Sequence, residues 1–122
     1  MLSFIIPAHN EELELSSTLA AIDSAVSSAN QPYEIIVVDD ASTDATPEIA
    51  AHAGAKVIPI NRRQIAAARN AGGCAAQGEY LLFIDADTRI KQAHVTGALA
   101  ALEAGFPLEL PSPVVATEVT AP

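Results

Sequence analysis

Glu79-Tyr80-Leu81-Leu82-Phe83-Ile84-Asp85-Ala86-Asp87 is the stretch on which the fold turns. Its centre, Tyr80 to Ile84, is an unbroken apolar run rich in aromatic and branched side chains. A run of that length reads as a short strand buried on both faces. Gly78 sets it off from the preceding segment, and Thr88-Arg89 follow as a loop. Two carboxylates one residue apart stand at its end. Open α/β sheets bind ligands outside the carboxyl ends of their strands. Asp85 and Asp87 would there offer hard oxygen donors to magnesium or manganese, ions that usually arrive with substrate phosphates. Alone, the pair reads more readily as two solvated aspartates capping the next helix.

Working outward, three further strands alternate with helices. Ser3 to Pro7 is the first strand, stopped by proline, and Asn10 caps the helix after it, with Glu11 and Glu12 in a first turn that favours negative charge. Leu15, Leu19, Ile22 and Val26 recur at helical spacing and form its core face. Tyr33 to Val38 is a nearly all-apolar strand ending on Asp39-Asp40. Residues 42–46 offer several caps, and Pro47 suits the first turn of a short helix closed by Gly54. Lys56 to Ile60 is a third strand whose internal Pro59 places it at a sheet edge. Gln64 to Gln77 is a helix despite Gly72-Gly73, which cost about 1–2 kcal/mol of propensity and imply close packing. Lys91 to Ala104 is the last helix, with Val95, Ala98, Leu99 and Leu102 inward.

This β-α-β-α-β-α-β-α order predicts an α/β, Rossmann-like parallel sheet of about four strands with right-handed crossovers and helices on both faces. The expected spatial order is 3-2-1-4. The switch point then falls between the first and fourth strands, so residues 7–11 face Asp85-Ala86-Asp87 across a crevice, with Asp39 beside them. Three acidic strand ends converge there. Residues 1–105 form this unit. Residues 106–122, with Pro107, Pro111, Pro113 and Pro122 and no hydrophobic period, read as a Pro-rich irregular tail.

Composition narrows the function classes. Six basic against fifteen acidic residues give a formal net charge of -9, which excludes a phosphate-backbone binder lacking clustered Lys and Arg. Cys74 is the single cysteine, so an internal disulfide is impossible and a reducing, cytoplasmic setting is the default. The N-terminal residues show no secretory signal pattern. No apolar run reaches membrane-spanning length, which leaves peripheral membrane association open.

Four segments together resemble the family 2 glycosyltransferases: Phe4 to Glu12, Ile36 to Asp44, Ala68-Arg69-Asn70-Ala71-Gly72, and Gly78 to Asp87. They follow the family's order and spacing and cover residues 2 to about 105. The resemblance implies a GT-A fold whose N-terminal half binds a nucleoside-diphosphate sugar, UDP- or GDP-linked, with Mg2+ or Mn2+. It implies that Pro7, Ala8 and Glu11 line the nucleoside pocket, that Asp39 hydrogen-bonds the base and that Asp40 supports that loop. Arg69 would lie near the nucleotide, Asp85 at the ribose or sugar, and Asp87 on the metal, which Asp85 would also serve. In the family, the chain continues into an acceptor-binding half with the catalytic base. Only Glu103, Glu109 and Glu118 follow here, none in a recognisable motif. The expectation is therefore nucleotide-sugar binding without efficient transfer, with the catalytic residue and the acceptor unassigned.

Other classes fit less well. A response-regulator receiver shares the alternation and the acidic pair, yet needs a lysine well downstream of Asp85, and Lys91 is too close. A nucleotidyltransferase needs a glycine-rich loop after the first strand, and none is present. A non-catalytic nucleotide-sugar-binding fragment fits the same residues.

Overall fold

A computed structural model of the chain describes residues 1–27, 30–103, 108–109 and 114–118. Its first eight elements alternate: β1 (Leu2–Ala8), α1 (Leu15–Ser27), β2 (Tyr33–Asp40), α2 (Thr46–His52), β3 (Lys56–Ile60), α3 (Ile65–Ala75), β4 (Tyr80–Ile84) and α4 (Gln92–Glu103). Two strands follow, β5 (Leu108–Glu109) and β6 (Val114–Glu118). The sheet runs β3-β2-β1-β4-β6-β5. Its first four strands are parallel in the expected 3-2-1-4 order.

Apolar burial explains why β1 is central. Leu2, Phe4, Ile5 and Ile6 are fully buried, so the strand has no solvent face. Phe4 and Ile6 join Leu15, Leu19, Ile22 and Val26 of α1 in the larger core. Ile5 packs with Ile36, Val38 and Ala68 beneath α3. Burying each such side chain contributes about 1.5–3 kcal/mol, which makes β1 the strand the fold can least alter. Gly72 supplies the close approach expected of it. A Cβ there would collide with Ile5 Cγ2 and lie 3.1 Å from Val38 Cγ2.

Several expectations need correction. Pro7 does not end β1, which pairs with β2 as far as Ala8↔Asp39. The Leu2 N–H donates toward Pro32 on the β2 side, while Met1 O accepts from Glu79 on the β4 side. By alternation, the Pro7 nitrogen therefore faces β4, beyond Ile5↔Phe83, the last β1–β4 pair. No ladder bond is lost there, and the parting of β1 from β4 opens the crevice. Asn10 does not cap α1. It has a left-handed backbone (φ 52°), and the first turn is closed by the Leu15 N–H donating to Glu11 O at 2.9 Å. The irregular tail expected over 106–122 contains two strands. β6 pairs antiparallel with β4 from Tyr80↔Glu118 to Ile84↔Val114, and β5 pairs with β6. Backbone pairing on the open edge of β4, not a hydrophobic period, places residues 108–109 and 114–118 in the sheet. The rest of the expected tail lies outside the described residues, as does Ala104 at the expected end of α4. As expected, β3 with Pro59 is an edge strand.

Candidate functional site

The loops after β1 and β2 are laced together by short polar side chains. Asn10 N–H donates to Ser42 Oγ at 2.9 Å, Glu11 N–H to Thr46 Oγ1 at 2.9 Å, and Ala45 N–H to Glu12 at 3.0 Å. Thr43 N–H donates to Asn10 Oδ1 at 2.8 Å. That bond fixes the Asn10 amide, so its Nδ2 donates to His9 Nε2 at 3.2 Å. His9 therefore carries its proton on Nδ1 and donates it to Asp40 O at 2.7 Å. His9 thus bridges the two strand ends.

A cleft of 220 Å³ opens at this junction, lined by Pro7, Ala8, His9, Glu11, Asp40, Arg63, Gln64, Ile65 and Ala68. Of the residues expected at a nucleotide site, Pro7, Ala8, Glu11 and Asp40 line this cleft, whereas Asp39, Arg69, Asp85 and Asp87 do not. Asp40 supports the adjoining loop directly: its carboxylate accepts the N–H groups of Arg62 and Arg63 at 2.9 Å and of Gln64 at 3.2 Å. Burial pushes the Asp40 carboxyl up, but these donors and the Arg63 guanidinium outweigh it and hold the group below the ordinary carboxylate range. Asp39 is buried beside Ala8 and accepts the Ser42 N–H at 3.3 Å. Asp44 accepts from the Thr46 N–H at 2.9 Å just before α2, but the N-cap position is Ala45 and no side chain caps the helix there.

Arg69 stands apart from that cleft. It lines a second one between α3 and β4, with its guanidinium 6.0 Å from the centre of the Phe83 ring. Its buried Nε has no hydrogen-bond partner among the described residues. Ile65 borders both clefts.

Across the crevice, Ala86 is buried in the larger core, while Asp85 is half-buried and Asp87 exposed. Thr18 of α1, fully buried, explains how this turn is held. Its hydroxyl donates to Ala86 O at 2.6 Å and accepts from Arg89 Nη1 at 2.7 Å. Arg89 also pairs with Glu14. A Thr inside an amphipathic helix gives no local sign of such a contact, so the sequence left it unread. The acidic ends of β1 and β4 lie close enough to act on one another electrostatically. Glu11 has a carboxyl raised above its ordinary value, first by burial and then by the negative charges of Asp87, Glu14, Asp44 and Asp85. Among the described residues, no cluster of three or more His, Cys, Asp or Glu side chains is arranged to hold a metal. An ion delivered with a diphosphate needs only one or two protein carboxylates.

A parallel sheet in 3-2-1-4 order with acidic strand ends meeting at the switch point defines a Rossmann-like GT-A unit. The profile described as Glycosyl transferase family 2 matches residues 3–120, and the chain belongs to that family. The match runs past residue 105, where the sequence motifs stop. An undecaprenyl-phosphate 4-deoxy-4-formamido-L-arabinose transferase of Aeromonas hydrophila is 31% identical over 114 residues, covering 87% of this chain and 35% of that protein. Glucosyl-3-phosphoglycerate synthase from Mycobacterium tuberculosis, solved with Mn2+, UDP and glucosyl-3-phosphoglycerate, superposes with a TM-score of 0.70 at 28% identity. That match covers 84% of this chain and 39% of the synthase. The mannosyltransferase PcManGT from Pyrobaculum calidifontis, solved with GDP-Man and Mn2+, gives 0.64 at 25% identity, covering 80% and 31%. The chain thus spans about a third of the lengths of these proteins. No described helix is long and apolar enough to cross a membrane.

Proposed function

We propose that this chain binds a nucleoside-diphosphate sugar together with Mg2+ or Mn2+, as the donor-binding part of a glycosyl-transfer system. The convergence of like charge carries the reading. Glu11 is raised first by burial and then by Asp87 and Asp85 among its acidic neighbours, so the ends of β1 and β4 share a negative field that a diphosphate would have to enter. A divalent cation fits that donor set: carboxylate oxygens one residue apart, on a turn that Thr18 anchors. When bound, such an ion neutralises charge on a departing diphosphate. Pro7, Ala8 and Glu11 would shape the nucleoside pocket, Asp39 would accept from the base, and Asp40 would hold the loop beside it. Asp85 would contact ribose or sugar and share the metal with Asp87. Arg69 would act from the second cleft, where its unpartnered Nε leaves donor capacity.

Structures similar to this one hold UDP with Mn2+, or GDP-Man with Mn2+, which supports both the ligand class and the ion. Transfer to an acceptor needs a hydroxyl held in line and a positioned base, and none of the site residues above supplies either. Residues 1–105 as a nucleotide-binding unit, and a cytoplasmic or membrane-peripheral setting, belong to the same reading. Calorimetry of the chain with UDP and GDP, with and without MnCl2, tests it. Binding that strengthens with the metal is expected, and no binding to either nucleotide in either condition would overturn it.

A further inference from the structure

Arg63 occupies a position that glycine would fill at lower cost. Its φ is 51°, in the left-handed region where an L side chain is disfavoured. The conformation is imposed from outside, because Asp40 gathers the N–H groups of Arg62, Arg63 and Gln64 onto one carboxylate. Without its side chain, the backbone of Arg63 would still donate to Asp40, which would lose only the charge of the guanidinium. That side chain lines the cleft at the ends of β1 and β2. Among the described residues, no ion pair or hydrogen bond engages its guanidinium. The other polar groups of the cleft are committed or negative. His9 uses both ring nitrogens, Asp40 is occupied by backbone, and Glu11 lies in the field of three aspartates and Glu14. Among the described residues, Arg63 is the only lysine or arginine that lines the cleft, in a chain with six such residues. Strained backbone held by its surroundings is a recurrent feature of ligand clamps.

We propose that Arg63 is a ligand-binding residue whose guanidinium engages the phosphate oxygens of the nucleotide, which offsets the negative charge of Glu11 and its neighbours. The assignment rests on the nucleotide-binding reading above and adds to it the residue that counters phosphate charge from the pocket side. A guanidinium suits this role because its fork of N–H donors matches phosphate oxygens.

Glycine at this position separates the two roles of the residue. R63G keeps the N–H that Asp40 binds, relieves the left-handed strain and removes only the side chain. Calorimetry with UDP and GDP in MnCl2, and NMR titrations with uridine and guanosine, would be run on the parent chain, R63G and R63K. R63G should melt at or above the parent temperature, lose about tenfold in nucleoside-diphosphate affinity and lose none for the nucleosides. R63K, which keeps the charge, should recover part of the loss. Undiminished diphosphate affinity in R63G, or equal losses for diphosphate and nucleoside, would overturn the assignment while leaving the nucleotide-binding reading intact. A parent chain that binds no nucleotide would overturn both.

Discussion

Two neighbouring aspartates at the end of β2 have different duties. Asp40 serves the backbone. Its replacement by Ala leaves up to three N–H donors without their acceptor and should cost about 1–3 kcal/mol of stability, read from urea unfolding. The pH dependence follows from its lowered carboxyl. A carboxylate held below its ordinary value stabilises the fold above that value, and the contribution fades as pH falls through the lower, folded one. The stability difference between the parent and D40N should therefore be full at neutral pH and shrink below about pH 4. A difference that persists unchanged at pH 2 would show that Asp40 acts through shape rather than charge. Asp87 is the opposite case, exposed, and among the described residues no hydrogen bond or ion pair engages its carboxylate. D87N should keep the parent melting temperature and remove most metal-dependent nucleotide affinity, measured by calorimetry with and without MnCl2.

Between elements, two contacts decide whether the site is held in place. Thr18 joins α1 to the turn after β4 through Ala86 O and Arg89. T18V keeps the volume but removes a buried hydroxyl and leaves Ala86 O without that donor, a loss of about 1–2 kcal/mol. T18S should restore most of it. Loosening the turn should also weaken metal-dependent nucleotide binding in T18V, although Thr18 touches no ligand; equal affinity in both variants would limit Thr18 to a structural role. Gly72 sets the distance between α3 and the sheet. G72A gains about 1 kcal/mol of helix propensity but forces a methyl group into Ile5, and overpacking costs about 1–3 kcal/mol. The collision should win, with lower stability in denaturant unfolding, because Ile5 is fully buried and cannot move aside.

At the scale of the whole molecule, the sheet does not end at β4. β6 covers the edge of β4 over its entire length, from Tyr80 to Ile84. Truncation after Gly105 would strip that edge and expose unpaired backbone groups beside a hydrophobic strand. A lower melting temperature and concentration-dependent aggregation are expected of the shortened chain, followed by thermal melts and light scattering. An unchanged melt and a monomeric product would mean that β5 and β6 contribute nothing to the fold.

The parallel core was legible in the sequence because apolar runs, helical spacing and breakers are local signals. Leu15, Leu19, Ile22 and Val26 showed the buried face of α1, Pro59 marked an edge, and Gly72 signalled close packing. The acidic strand ends were legible too, since the β-α alternation leaves few ways to arrange four strands. What the tertiary structure alone decided involves partners distant in sequence. The commitment of Asp40 to residues 62–64, the grip of Thr18 on Ala86, the bridge from His9 to Asp40 and the separation of Arg69 from the main cleft all depend on which loops meet. Strand pairing in the C-terminal segment was hidden for the same reason: β6 is specified by the vacant edge of β4 and its hydrogen-bonding groups, a template that exists only once the parallel sheet has formed.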